Sequence, residues 1–298
     1  MNYLFISVSL FVLAAIVSGN NLSAGVGSLL GSNVTGRKAA VLIAIVGFTS
    51  GFLVGVNKMS RTVNALFPYG SFSLFLIIWA SVLVFIVAQI ARTPISLTMA
   101  LVGISFGIFL RHDVFSSIAI IERIIAMWII APPLAIGISY AISTLLTRRK
   151  ASGIWRTANV MRFLLIFLGF ISSFTLGENT LGFIGALGRG SILSSIFVAG
   201  GIVFGSAFLS WGPVKTIGRD MYSISYSNAF SSLLSSSLLV EAATLVGLPL
   251  SNTQALTSGI IGAGLGRKMR VLSLRPVVRV LLLWFVSPVV GVILGIII

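Results

Sequence analysis

Residues 123–132 read RIIAMWIIAP and residues 279–288 read RVLLLWFVSP. Arginine, tryptophan and proline recur at identical spacing, 156 residues apart, inside two apolar runs. Three further landmarks keep the same order at nearly the same offset. PISLTMAL (94–101) lines up with PLSNTQAL (249–256), and Gly19-Asn20-Asn21 lines up with Gly177-Glu178-Asn179. Gly47 and Gly51 line up with Gly201 and Gly205, and Arg61-Thr62 with Lys215-Thr216. Self-similarity at one fixed period marks a repeated architecture. The chain therefore divides into two halves, 1–150 and 153–298, forming one membrane domain.

That domain is read as a membrane one because 57% of the residues are hydrophobic and only 8% are charged, against about a quarter charged in a soluble domain. Mean hydropathy is +1.12. Apolar stretches at Tyr3–Ser18, Ala39–Val56, Phe72–Ala91, Ile118–Leu146, Phe163–Leu176, Ser191–Ser210, Phe230–Gly247 and Val277–Ile298 approach or exceed the span of a bilayer. With shorter segments between them they predict an all-α integral membrane protein of about 10–12 membrane segments. The first stretch has no basic residue ahead of it and no small-x-small cleavage site, so it reads as a retained helix. With no cysteine, disulfides and thiolate metal sites are excluded. The net charge of +15 is scattered over short loops, which suits topology signals and lipid headgroups rather than nucleic acid.

Relative orientation follows from the basic loops. Arg148-Arg149-Lys150 with Arg156 follows the last helix of the first half. Arg267-Lys268 with Arg270 and Arg275 precedes the last helix of the second. If both loops are cytoplasmic, equivalent helices run in opposite directions. The expected fold is thus two inverted-topology repeats, with both termini outside.

Two matched pairs of segments read as broken or re-entrant helices. One is SGNNLSAGVGSLLGSN (18–33) with LGENTLGFIGALG (176–188). The other is TPISLTMALVGISFGIFL (93–110) with LPLSNTQALTSGIIGAGLG (248–266). In the second pair a proline stops the preceding helix, and Ser, Thr, Asn or Gln opens a short new one. The first turn of a helix carries unpaired N–H donors and a partial positive charge, so it holds an anion without a buried lysine or arginine. Released carbonyls suit a cation. The competing reading is that these residues are N-caps and hydrogen-bonding glue within the bundle.

With these motifs in place, the chain resembles the inorganic phosphate transporter (PiT) family of permeases. PLSNTQALTSGIIGAG is similar to that family's P-x-S-T-T-H-A run, and PISLTMALVG to its P-S-S-S-S-H-A-L-x-G sister. GNNLSAGVG and GENTLGFIG stand where the family has two G-x-N/H-D elements, and Trp284-FVS-Pro288 and Lys215-Thr216-Ile217-Gly218 match its habitual positions. The family aspartates are replaced by Leu22 and Thr180, and its histidines by Met99 and Gln254. The resemblance implies substrate ligands at Asn20, Asn21, Ser96, Thr98, Asn179, Ser251, Asn252, Thr253 and Gln254. It also implies a sodium site near Asn21 and Asn179, a homodimer, and residence in the plasma membrane. The missing aspartates put sodium coupling in question, with a proton as the other candidate ion.

An ionisable residue inside a membrane span is a functional hypothesis by default. Glu178, one residue before Asn179, is the candidate coupling residue, with N-terminal capping as its rival role. Glu241 is expected to pair with an arginine such as Arg123, Arg162 or Arg279. His112, in the loop RHD (111–113), reads as a surface residue.

The function these features suggest is an ion-coupled secondary transporter of inorganic phosphate working by alternating access, with no cofactor beyond the coupling cation. Sulfate or a related oxyanion is the alternative cargo. An integral-membrane lipid-phosphate phosphatase is a rival, but five acidic residues, one histidine and no cysteine leave little for its chemistry. A transport-inactive scaffold is the third reading. No Walker A motif points to direct drive by ATP.

Overall fold

The computed structural model describes residues 3–68, 70–90, 96–112, 118–148, 154–210, 225–266 and 274–298. In the first half they form α1 (Tyr3–Gly31), α2 (Arg37–Leu66), α3 (Ser71–Ile90), α4 (Leu97–His112) and α5 (Ile118–Arg148). In the second they form α6 (Ile154–Leu176), a π-helical turn (Gly177–Leu181), α7 (Gly182–Ala186), α8 (Ile192–Phe208), α9 (Tyr226–Leu245), α10 (Asn252–Gly266) and α11 (Leu274–Ile297). Pro94, Arg149, Lys150, Lys215 and the run 267–270 lie outside the described residues, as do the side chains of Arg156, Arg275 and Arg279. Hydrocarbon offers no partner to a free backbone group, so helices are the expected outcome. Among the described residues four stretches are long and apolar enough to span: Leu4–Gly31, Arg37–Leu66, Ile118–Arg148 and Thr157–Ala186. Their outer faces expose Leu42, Leu53, Ile129 and Phe163, while Phe48, Phe52, Phe67 and Phe183 are buried within.

The halves do not fold side by side; they exchange helices. α1 packs along α8, and α2 packs along α6 and the π-helical turn. In the same manner α4 packs along α11, and α5 along α10. Each pair takes one member from either half. Close approach makes this possible: a Cβ on Gly51 would land on the carbonyl of Phe174, and one on Gly205 on that of Ala15. Between α4 and α11 the interlock is reciprocal, with Gly103 on the carbonyl of Pro288 and Gly291 on that of Ala100. Small residues drive such packing where there is no water to expel. Hydroxyls fasten the pairs further. Ser18 Oγ donates to Ile202 O (3.2 Å), Ser139 Oγ to Gly259 O (2.6 Å), and Ser143 Oγ to Ala263 O (3.0 Å).

Two of the four expected breaks are real helix starts. Ser96 and Ser251 precede α4 and α10, and their hydroxyls accept from Met99 N (3.5 Å) and Gln254 N (3.3 Å). The other pair differs from expectation. Residues 18–33 do not break: α1 runs unbroken to Gly31. Ser23 Oγ donates to Asn20 O within it (3.3 Å), and Ser32 Oγ, just past its end, donates to Ser28 O (2.6 Å). Gly19 serves close packing instead, since a Cβ there would meet Leu209 and the carbonyl of Gly205.

In the second half the polar stretch widens the helix rather than severing it. The Gly182 N–H reaches back to the Gly177 carbonyl, one residue further than in an α-helix, and the chain continues into α7. His112 is not in a loop but on the exposed last turn of α4.

The close approach makes a stability prediction. Gly103→Ala should cost about 1–3 kcal/mol through overpacking. Gly137→Ala, where nothing lies within 4 Å of the new methyl, should gain about 0.5–1 kcal/mol from helix propensity. Thermal denaturation of the two purified variants in detergent checks this; equal midpoints would remove the packing role of Gly103.

Candidate functional site

The chain leaves the helical ladder between α9 and α10. From Gly247, at φ +71°, to Ser251 the backbone is irregular and partly buried. Such backbone needs side-chain partners, and Asn179 of the π-helical turn provides them. Its Nδ2 donates to Thr244 Oγ1 (2.9 Å) and Leu248 O (3.1 Å), while its Oδ1 accepts from Leu250 N (3.0 Å). One turn away, Asn252 Nδ2 donates to Thr180 Oγ1 (2.8 Å). The widened turn and the start of α10 are thereby locked together. Asn179 is wholly buried and both of its amide protons are committed. It positions the site rather than presenting ligand atoms to it.

Beside this lock lies a small cavity in which only about 10 Å³ is free to a water-sized sphere. Its polar lining comes from Ser172 and Thr175 of α6, Ser236 and Ser237 of α9, and Asn252 of α10. Three of the hydroxyls give their protons to helix carbonyls: Ser172 to Ala24 O (3.3 Å), Thr175 to Ser172 O (3.2 Å) and Ser236 to Leu233 O (3.1 Å). The Ser237 hydroxyl is buried and has no partner. Among the described residues no charged side chain lines the cavity. The unpartnered Ser237 hydroxyl and the second amide proton of Asn252 are its free neutral donors, and the other hydroxyls can turn from their carbonyls. Such a set suits a small oxyanion, which brings its own charge.

The expected ligands divide around this cavity. Asn252 lines it directly. Ser251 acts as the N-cap of α10, and Thr253 is half-buried next to it. Gln254 turns the other way. Its Nε2 donates to Trp128 O on α5 (3.0 Å), and Trp128 Nε1 donates in turn to Pro249 O (3.1 Å). The period of the helix separates the two residues: Asn252 and Leu256 share the cavity face, and residue 254 falls on the opposite one. Asn20 stands one turn before Ala24, which also lines the cavity, and Asn21 is buried beside it on α1. Ser96 and Thr98 lie elsewhere. They bond to each other (3.1 Å), and Ser96 N donates to Ser287 Oγ of α11 (3.4 Å). The start of α4 thus packs against α11, and the start of α10 against α5.

Glu178 does not face a free ion. Its carboxylate is completely buried, with Lys58 Nζ of α2 2.5 Å from Oε1. Among the described residues Glu241 pairs with the same ammonium at 3.5 Å rather than with Arg123 or Arg162. The expected sodium site near Asn21 and Asn179 is a poor fit to these residues. Both Asn179 amide protons are spent and its oxygen accepts from Leu250, the Glu178 carboxylate has an ammonium against it, Leu22 is apolar core, and Thr180 is held by Asn252.

Sequence reasoning missed Lys58 and the four hydroxyl residues of the cavity. A lysine within the apolar, glycine-rich run of α2 was itself a usable signal. The serines carried none, since hydroxyls on buried helices are usually spent on their own carbonyls.

Replacing Asn179 tests the lock. Asn179→Leu strands the Leu250 N–H and the Leu248 carbonyl, which should destabilise the protein by about 1–3 kcal/mol and expose the segment 247–251. Limited proteolysis and thermal melts check it; a wild-type cleavage pattern would dismiss the lock.

Comparison with known proteins agrees with this architecture. Residues 147–295 match the model of the phosphate transporter family (PHO4). A "putative phosphate permease" of Methanocaldococcus jannaschii is 27% identical over 293 residues, covering 97% of this chain and 94% of that protein. The sulfate permease CysP of Bacillus subtilis is 24% identical over 288 residues, covering 91% and 80%. A solved structure of a sodium-dependent phosphate transporter superposes with a TM-score of 0.86 at 15% identity, covering 99% of this chain and 97% of that one; at that identity the likeness speaks for the fold. The family match reaches across half of the chain, and its relatives are permeases rather than enzymes. The chain is a multi-helix membrane protein that belongs to the phosphate transporter family.

Proposed function

We propose that the chain carries inorganic phosphate across the plasma membrane as a secondary transporter, by alternating access around the cavity between α1, α6, α9 and α10, and that it does so as a homodimer. The observation that carries this reading is the cavity itself. It is lined by uncharged polar groups, among them the unpartnered Ser237 hydroxyl, beside the first turn of a helix held in place by Asn179. Uncharged donors bind an anion without trapping it, which transport requires.

The two halves enter as a two-fold exchange. α1 on α8 mirrors α6 on α2, and α4 on α11 mirrors α10 on α5. This pattern supports the inverted-repeat reading and supplies a movable unit. Rocking of the α5–α10 pair against α1 and α6 would part the walls of the cavity on one side, and the mirror motion would part them on the other. Such rocking of one repeat against another is common in transporters of this type.

Sulfate is the second reading, favoured by the relative named a sulfate permease. Both anions are tetrahedral and present oxygens to the same donors. Uptake of radiolabelled phosphate into proteoliposomes, with unlabelled sulfate as competitor, separates them. Phosphate uptake unaffected by excess sulfate is expected; sulfate uptake alone would reverse the assignment. Ser237→Ala should lower uptake about ten- to a hundredfold, the worth of one hydrogen bond to a charged ligand. Unchanged uptake in this variant and in Ser172→Ala would remove the cavity from the path.

A further inference from the structure

Glu178, Lys58 and Glu241 form a charged cluster that phosphate binding does not use. The Glu178 carboxylate is shut off from solvent, and neither of its oxygens accepts a well-angled hydrogen bond. An ion in that position needs a counter-charge in contact. Helix α2 delivers one. Gly55, one turn before Lys58, lies directly on the backbone carbonyl of Glu178. This pressed contact brings the Lys58 ammonium to 2.5 Å from Oε1. The same ammonium lies 3.5 Å from Glu241 on α9, so it bridges two carboxylates from two helices.

We propose that Lys58 is a tethered cation that fills the place beside Glu178 which a free coupling ion would occupy, so that transport by this chain needs no sodium. The inference rests on the transport reading above. Four observations carry it: the ammonium against Glu178, the committed amide of Asn179, the apolar Leu22, and the engagement of Thr180 by Asn252. Together they set the chain's own ammonium against the carboxylate where the sodium site was expected, and engage the Asn179 and Thr180 oxygens in hydrogen bonds. Charge compensation, which a transporter otherwise takes from solution, is supplied by the chain. The second carboxylate, Glu241, is about one-third exposed. It offers the ammonium a second resting place if α2 and α9 slide during the cycle, so the cluster stays compensated as Glu178 moves.

The test uses the full chain in two salts of equal ionic strength, sodium chloride and choline chloride. Phosphate uptake is measured in proteoliposomes and thermal midpoints in detergent. Wild-type uptake and midpoint should be the same in both salts. Lys58→Gln uncovers a buried carboxylate, so its midpoint in choline should fall by on the order of 10 °C, its uptake by about tenfold or more, and sodium should raise the midpoint again. The double variant Lys58→Gln/Glu178→Gln removes both charges and should regain the midpoint in choline, which separates charge compensation from simple loss of a side chain.

Wild-type uptake that collapses in choline would overturn the proposal, as would a Lys58→Gln variant with the wild-type midpoint or a double variant no more stable than the single. The melts need no substrate. If neither phosphate nor sulfate enters the vesicles, the transport reading fails while the midpoints still decide the role of Lys58.

Discussion

The short irregular backbone between α9 and α10 is the point on which the site depends. In a bilayer a peptide group outside a helix must find its partner within the protein. Asn179 meets that demand with two bonds to the segment and a third to Thr244 of α9, and Asn252 ties the start of α10 to Thr180. The direction in which α10 opens, and therefore which of its side chains look into the cavity, follows from that lock. Without it Asn252 and Ser237 would have no reason to face the same space.

The π-helical turn makes the lock possible. Fitting one extra residue into a turn shifts the phase of every side chain that follows it. Here it brings Asn179 and Thr180 towards α10 and leaves Glu178 against α2. A single local widening thus serves both the lock on α10 and the charged cluster.

Exchange between the halves provides the rigidity that this arrangement needs. Several close contacts set a glycine of one half on a backbone carbonyl of the other, as at Gly51 with Phe174 and Gly205 with Ala15. Backbones that touch leave little room for independent sliding.

Much of this was legible in the residues alone. Hydropathy determined the membrane helices, because crossing a bilayer is a matter of length and composition. Ser96 and Ser251 marked two helix starts, because capping acts within three residues of its own chain. Tertiary structure decided the rest. Gly19-Asn20-Asn21 and Gly177-Glu178-Asn179 look alike as strings, yet the first stays in a regular helix and the second widens its turn. The second has the buried loop at 248–250 to satisfy. The same holds for Gln254, which the motif placed among the ligands and α5 drew away, and for Lys58, whose carboxylate partner lies 120 residues along the chain. Local periodicity says which residues share a face; what that face meets is set by helices from the other half.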